Sequence, residues 1–236
     1  GLGVGYVISG MYFGWNLGLE KGGTLGMGIA TFIIIIMYVC FSFSYCELSC
    51  AIPKAGGGFD YANRAFGKDI GFITGLAQII EFVFAPPAIA IAIGAYLNLS
   101  FPQIPILPAA IGAYLLFTAL NIFGVKIAAT FELFITILAV AELLLFFGVT
   151  IPHFSSEKLT LNASTNGMEG IFAAIPFAIW FFLGIEGVAN VAEETINPQK
   201  DITKGFGSAI LTLVILCIMV FVATIGVGGW EKVVYK

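Results

Sequence analysis

Glu186 stands where a simple membrane helix would carry Leu or Val. It lies in the run Phe177–Glu194, FAIWFFLGIEGVANVAEE, with Gly184 two residues before it and Gly187 directly after it. A carboxylate in the middle of an inserted helix costs ~2.5–3.5 kcal/mol, judged from Asp, and the flanking glycines weaken the helix that would carry it. The combination reads as a broken helix holding a functional carboxyl. Glu81, Glu132 and Glu142 are further carboxylates inside apolar runs. Other chemistries lack their parts. Cys40, Cys46, Cys50 and Cys217 all lie in apolar runs rather than in polar outer loops, so no disulfide framework is indicated. Cys46 and Cys50 share a helix face, but no His joins them as a metal ligand. The single His, His153, falls outside every apolar run, and no nucleophile–base pair appears. The chain is read as no enzyme, with no cofactor and no metal.

The elements that must position these carboxyls are set by composition. The chain has 236 residues, 59% hydrophobic and 10% charged, with mean hydropathy +1.02. A water-exposed surface needs more charge than that. Runs of about 20 apolar residues, each long enough to cross a ~30 Å hydrocarbon core, recur along the chain. They are continuous rather than alternating, which excludes a barrel wall. The reading is a polytopic α-helical membrane protein whose partner is the lipid bilayer, with no nucleic-acid contact. The sequence opens on Gly1 at the edge of a span and shows no signal-peptide pattern. It reads as part of a longer protein.

About seven spans are predicted: roughly Gly3–Leu19, Leu25–Cys50, Ile70–Leu97, Ile106–Ile122, Ile127–Ile151, Gly170–Ala192 and Phe206–Gly228. Span 3 is interrupted by Pro86 and Pro87, and span 5 carries Glu132 and Glu142. Lys54, Arg64, Lys68, Lys126, Lys200 and Lys204 occupy one set of loops; Lys21, Lys158, Lys232 and Lys236 occupy the other. The richer set is assigned to the cytoplasm. Asn98-Leu99-Ser100 and Asn162-Ala163-Ser164 fall in outer loops and carry no weight for glycosylation.

Span 1, GVGYVISGMYFGWNLGL, is as poor a helix as span 6, with five glycines, Ser9 and Asn16. The two weak spans are five positions apart. A repeat of five helices makes them corresponding members, and an odd-numbered repeat inverts the second copy. Interrupted segments at matching positions of two halves point to a transporter binding site, because unwound backbone is tolerated at membrane depth only beside a cavity or a ligand.

The run Ala51–Gly67, AIPKAGGGFDYANRAFG, resembles the first cytoplasmic loop of the amino acid–polyamine–organocation (APC) transporters. Trp180–Ile202, WFFLGIEGVANVAEETINPQKDI, resembles their sixth helix and the loop after it. Glu81–Leu97, EFVFAPPAIAIAIGAYL, resembles the ethanolamine permease branch. The resemblance covers essentially the whole chain. It implies a LeuT-like fold of two inverted five-helix repeats with helices 1 and 6 broken. The first repeat would be residues 1–151, an outer loop 152–167, and the start of the second repeat 168–236, with the chain truncated at both ends.

The resemblance also implies a site. Amino acid carriers of the family hold the substrate carboxylate on backbone amides of a Gly-Ser-Gly-like break. The matching place here reads Gly14-Trp15-Asn16-Leu17-Gly18, with Trp15 at the small central position. That departure suits a substrate without a carboxylate, such as ethanolamine. Trp15 has a second reading, as an interface-belt aromatic beside packing glycines. Glu81, about eleven residues into span 3, would pair with the ammonium or the hydroxyl, or be a buried, protonated structural Glu. Trp180 would cover the ammonium, worth on the order of 2 kcal/mol when desolvated, or simply pack. Carbonyls around Leu183, Gly184 and Ile185 would be freed by the break. Glu186 would bind the ammonium, carry a coupling proton or hold the break, with proton or gating duty preferred. Glu193, Glu194 and Asp201, beside Lys200 and Lys204, are read as an inner gate network, and Glu47 as structural. Many family members carry a span-5 Lys in place of a sodium ion; Ile135–Val140 has none.

The resulting expectation is a secondary permease importing ethanolamine or a similar small amine by alternating access. It would be a multi-pass protein of a bacterial cell membrane, with a proton or sodium ion as coupling partner. An amino acid or polyamine carrier of the same fold is the alternative. A seven-helix receptor fits the span count alone, but it needs intact spans 1 and 6, and span 7 has no Lys for a retinal Schiff base.

Overall fold

The computed structural model describes residues 1–234, apart from the side chains of Val125 and Glu194. Lys236, counted above among the outer lysines, and the carboxyl of Glu194 in the expected inner network therefore lie outside the described residues. The described residues form helices and turns with no strand. In chain order the helices are α1 (Leu2–Gly5), α2 (Leu17–Ala51), α3 (Gly58–Phe66), α4 (Lys68–Ser100), α5 (Ile106–Ile122), α6 (Val125–Thr150), α7 (Ser156–Thr160), α8 (Gly167–Ala178), α9 (Gly187–Asn190), α10 (Pro198–Gly228) and α11 (Trp230–Val234).

Among the described residues, four helices are long and apolar enough to cross a membrane: Leu17–Ala51, Lys68–Ser100, Lys126–His153 and Pro198–Gly228. They correspond to spans 2, 3, 5 and 7. Span 4 is a 17-residue helix, α5, about 26 Å long at 1.5 Å per residue. Spans 1 and 6 contain no continuous crossing helix, because each is interrupted near its middle. Residues 17–22, the end of span 1 and its continuation, are joined to span 2 across a kink at Gly23 with φ 64°. The expected interruption of span 3 does not occur: α4 runs through Pro86 and Pro87. A proline removes one N–H and crowds the carbonyl four residues back, which weakens this helix without ending it. Span 7 starts eight residues earlier than expected, at Pro198, where a proline in the first turn leaves no extra N–H unpaired.

Two compact units result. Gly1–Pro53 and the chain from Leu133 onward form one; Lys54–Glu132 forms the other. The first has its core between α2, α8 and α10, with Leu19, Met27, Phe181, Phe182, Ile185, Leu213, Cys217 and Ile225 fully buried. Gly22 and Gly26 of α2 lie against Gly170 of α8, and such small residues let membrane helices approach closely. In the second unit α3 packs on the start of α4, with Gly71 against Asn63 and Gly75 against Phe59. The Phe59 amide donates to Gln78 Oε1 at 2.9 Å. Further along, Gly94 of α4 meets Ile106 and Ala110 of α5. Large apolar side chains such as Phe72, Phe84, Leu107, Phe134 and Leu145 face outward on α4, α5 and α6, as lipid contact allows and water does not.

Candidate functional site

The interruptions in spans 1 and 6 have the same local build. In span 1 a 3₁₀ turn, Ile8–Met11, is followed by five turn residues, 12–16, and then by α2. In span 6 the 3₁₀ turn is Ile179–Phe181, the five turn residues are 182–186, and α9 follows. The third turn residue is a glycine in the left-handed region both times, Gly14 at φ 92° and Gly184 at φ 99°. A side chain disfavours that conformation by roughly 1–2 kcal/mol, and glycine avoids the penalty. The hydrogen bonds also correspond. Leu17, Gly18 and Leu19 amides donate to Gly14, Trp15 and Asn16 carbonyls; Gly187, Val188 and Ala189 amides donate to Gly184, Ile185 and Glu186 carbonyls. Asn16 and Glu186 thus hold the same register, each just before a helix.

The two segments cross antiparallel. Gly3 lies against Val188, Tyr6 against Gly184 and Gly187, Gly10 against the Trp180 carbonyl, and Gly18 against Phe177. Partner numbers fall as the span-1 number rises, so span 6 runs opposite to span 1. A Cβ on Gly10 would fall on that carbonyl, and one on Gly14 would meet the Trp180 indole at 2.7 Å.

Within this crossing Trp15 is 3% exposed. Its indole stacks on Phe181 at 5.1 Å and 26° and lies 5.8 Å from Phe221 of α10. Its N–H donates to the Met11 carbonyl at 3.2 Å, one turn back. Trp180 is half-buried and pairs with Phe13 at 5.4 Å. Leu183, Gly184 and Asn16 are half-buried, Ile185 is wholly buried and Glu186 is 8% exposed. Leu17 and Gly18, placed by sequence in the span-1 break, are already in α2; the break runs back to Tyr6 instead.

The structure therefore brings Gly14, Trp15, Trp180 and Gly184 into one crossing. Glu81 belongs to the second unit, half-buried on α4, where its Oε1 is buried with no hydrogen-bond partner among the described residues. Leaving such an atom unpaired costs ~1–3 kcal/mol, more when charged. Lys200, Asp201 and Lys204 are exposed at the start of α10, and Glu193 is exposed just before it.

Three groups were missed by sequence reasoning. Ser9 and Gly10 lie in the 3₁₀ turn within the break, and the Ser-Gly pair was the available signal. The Tyr12 hydroxyl donates toward the Ala139 carbonyl at 3.0 Å and Glu142 Oε2 at 3.3 Å on α6; no local pattern announces a contact across 127 residues. Asn190 closes α9, four residues after Glu186, and its Oδ1 is buried without a partner among the described residues. That helical spacing from Glu186 was legible.

Residues 2–234 match the family described as amino acid permease. An uncharacterized transporter, R00093, of Rhizobium meliloti (strain 1021) is 31% identical over 98% of this chain and 52% of its own length. The methylthioribose transporter of Bacillus subtilis (strain 168) is 29% identical over 81% of this chain and 45% of its own. The low-affinity putrescine importer PlaP of Escherichia coli (strain K12) is 25% identical over 80% of this chain and 44% of its own. The chain spans about half the length of the curated relatives it matches.

Proposed function

The chain belongs to the amino acid permease family, and from that premise we propose that the whole protein is a secondary transporter, importing ethanolamine or a similar small organic cation by alternating access. It is an all-α, multi-pass protein of the cell membrane. The observation that carries the reading is the antiparallel pair of matching breaks, Gly14 with Gly184 at their centres. Broken backbone at membrane depth belongs beside a cavity or a ligand. The two breaks support repeat bounds of 1–151 and 168–236 joined by an outer loop.

The cation reading is supported by side chains. Trp180 and Phe13 offer half-exposed aromatic surface beside the break, and aromatic faces attract a desolvated ammonium. The Trp180 indole lies against Gly14 and the only N–H of the Trp15 indole is already committed, which leaves poor room for a carboxylate. The Leu183 carbonyl is an acceptor beside the break, whereas the Gly184 and Ile185 carbonyls, expected to be freed, already accept from the Gly187 and Val188 amides. Glu81 is assigned to the ammonium or the hydroxyl, and Glu186 to gating or a coupling proton. Entry of one cation down 100 mV supplies about 2.3 kcal/mol, so the membrane potential alone concentrates it ~50-fold.

An amino acid or polyamine carrier is the second reading, favoured by the names of the relatives, among them a branched-chain amino acid permease and a putrescine importer. Uptake by the full-length protein in liposomes, with ethanolamine, choline, alanine and putrescine in competition and with or without a proton gradient, separates the two. Ethanolamine is expected to compete best, and Glu81→Gln to lower its uptake at least tenfold while the protein still folds. Alanine competing as well as ethanolamine would transfer the assignment to the second reading.

A further inference from the structure

Tyr12 and Phe182 hold the same register, each the first of five turn residues in a matching break. Their surroundings differ. Phe182 is wholly buried and stacks on Tyr38 of α2 at 5.4 Å. Tyr12 is half-buried and is tied to α6 through its hydroxyl, which lies 3.0 Å from the Ala139 carbonyl and 3.3 Å from Glu142 Oε2. One hydroxyl proton is shared between two acceptors. At this register the span-6 turn is held by apolar packing, whereas the span-1 turn, itself packed through Trp15 on Phe181 and Phe221, adds a polar tie to α6 that can be broken and remade. Glu142 is otherwise unexplained: it sits within the apolar crossing helix Lys126–His153, and an ionisable residue there marks a functional site.

We propose that Tyr12 and Glu142 form a latch that holds the span-1 turn, residues 12–16, against α6 in this conformation and is released when the transporter changes state. The hydroxyl reaches the carbonyl and the carboxylate together, so Glu142 strengthens a contact that Ala139 alone would hold loosely. Release frees the turn that carries Tyr12 and Asn16 from α6. Both residues are positioning residues. The inference rests on the transporter reading, but its test needs no substrate.

The full-length protein, with Cys40, Cys46, Cys50 and Cys217 replaced by Ser and Asn16→Cys as reporter, is labelled in liposomes with a membrane-impermeant maleimide. Tyr12→Phe removes only the hydroxyl, and Phe already fills this register in the other turn. Tyr12→Phe and Glu142→Leu should each raise the labelling rate at least tenfold. Glu142→Gln keeps an acceptor oxygen and should leave the rate unchanged. The Tyr12→Phe/Glu142→Leu pair should label no faster than Tyr12→Phe alone. Unchanged labelling in Tyr12→Phe, or effects of the two changes that multiply, would overturn the latch. Lack of ethanolamine uptake with these labelling rates intact would overturn only the substrate assignment.

Discussion

Trp15 shows how much a single side chain can depend on its surroundings. By residue type it suits a lipid–water interface, yet it is buried, stacked on Phe181 and tilted against Phe221. Removing a buried aromatic of this size costs ~3–5 kcal/mol through lost transfer energy and the cavity left behind. Trp15→Gly is therefore expected to lower the melting temperature of the detergent-solubilised protein markedly, whatever it does to selectivity. If the indole also keeps carboxylates out, the folded variant should take up alanine and the unaltered protein should not. Trp15→Phe, which retains stacking but loses the bond to Met11, should restore both exclusion and most of the stability, losing only ~1 kcal/mol. Continued exclusion of alanine by folded Trp15→Gly would remove the blocking role and leave Trp15 a core residue.

At the level of elements, the loop after α6 clasps the ends of three helices. The Leu25 amide donates to the Ala163 carbonyl at 2.6 Å, across the Gly23 kink of α2. Thr165 Oγ1 and Asn166 Nδ2 both donate to the Lys21 carbonyl, at 2.9 and 3.0 Å. On the other side the Ser155 amide donates to the Gly226 carbonyl of α10 at 2.9 Å, and Lys158 Nζ donates to the Val227 carbonyl. Trp230 Nε1 of α11 donates to the Asn162 carbonyl at 3.0 Å, while Asn162 Nδ2 donates to Glu231 Oε1 at 3.1 Å. Asn162 itself adopts φ 49°, a conformation that Asn tolerates better than most residues. Trp230→Phe deletes one donor, worth ~1 kcal/mol. Hydrogen exchange should then speed up at Leu25 and across residues 162–166 and stay unchanged in α4. Undiminished protection at Leu25 would show that the loop is held without Trp230.

For the molecule as a whole, the orientation derived from the loop lysines can be tested directly. Ser164, on the loop before α8, and Lys68, at the start of α4, are both exposed and are assigned to opposite sides. In sealed, right-side-out vesicles Ser164→Cys should react with an impermeant maleimide without delay. Lys68→Cys should react only after the membrane is permeabilised. The reverse pattern would turn the whole topology over and place the Glu193–Lys204 region outside. The membrane setting also explains the exposed faces of α4, α5 and α6, whose Phe, Ile and Leu side chains would be a liability in water.

Hydropathy and residue spacing by themselves determined that this is an all-α membrane protein, where most spans lie, and that spans 1 and 6 are broken. Those properties are local: an apolar run of sufficient length must be buried in lipid, and a glycine-rich stretch around Gly14 or Gly184 cannot hold a regular helix. The helical spacing of Glu186 and Asn190 was equally local, but Asn190 was missed. Span 3 marks the limit of local reading, since Pro86 and Pro87 weaken a helix that the surrounding apolar run nonetheless carries through. Only the tertiary structure decided that the breaks match turn for turn and cross antiparallel, that the span-1 break reaches back to Tyr6, and that Trp15 faces Phe181 rather than lipid. It alone brought Tyr12 to Glu142, 130 residues away. The physical reason is that packing and hydrogen bonding between distant segments depend on which helix faces meet, and no period or composition within a single span encodes the identity of its neighbour.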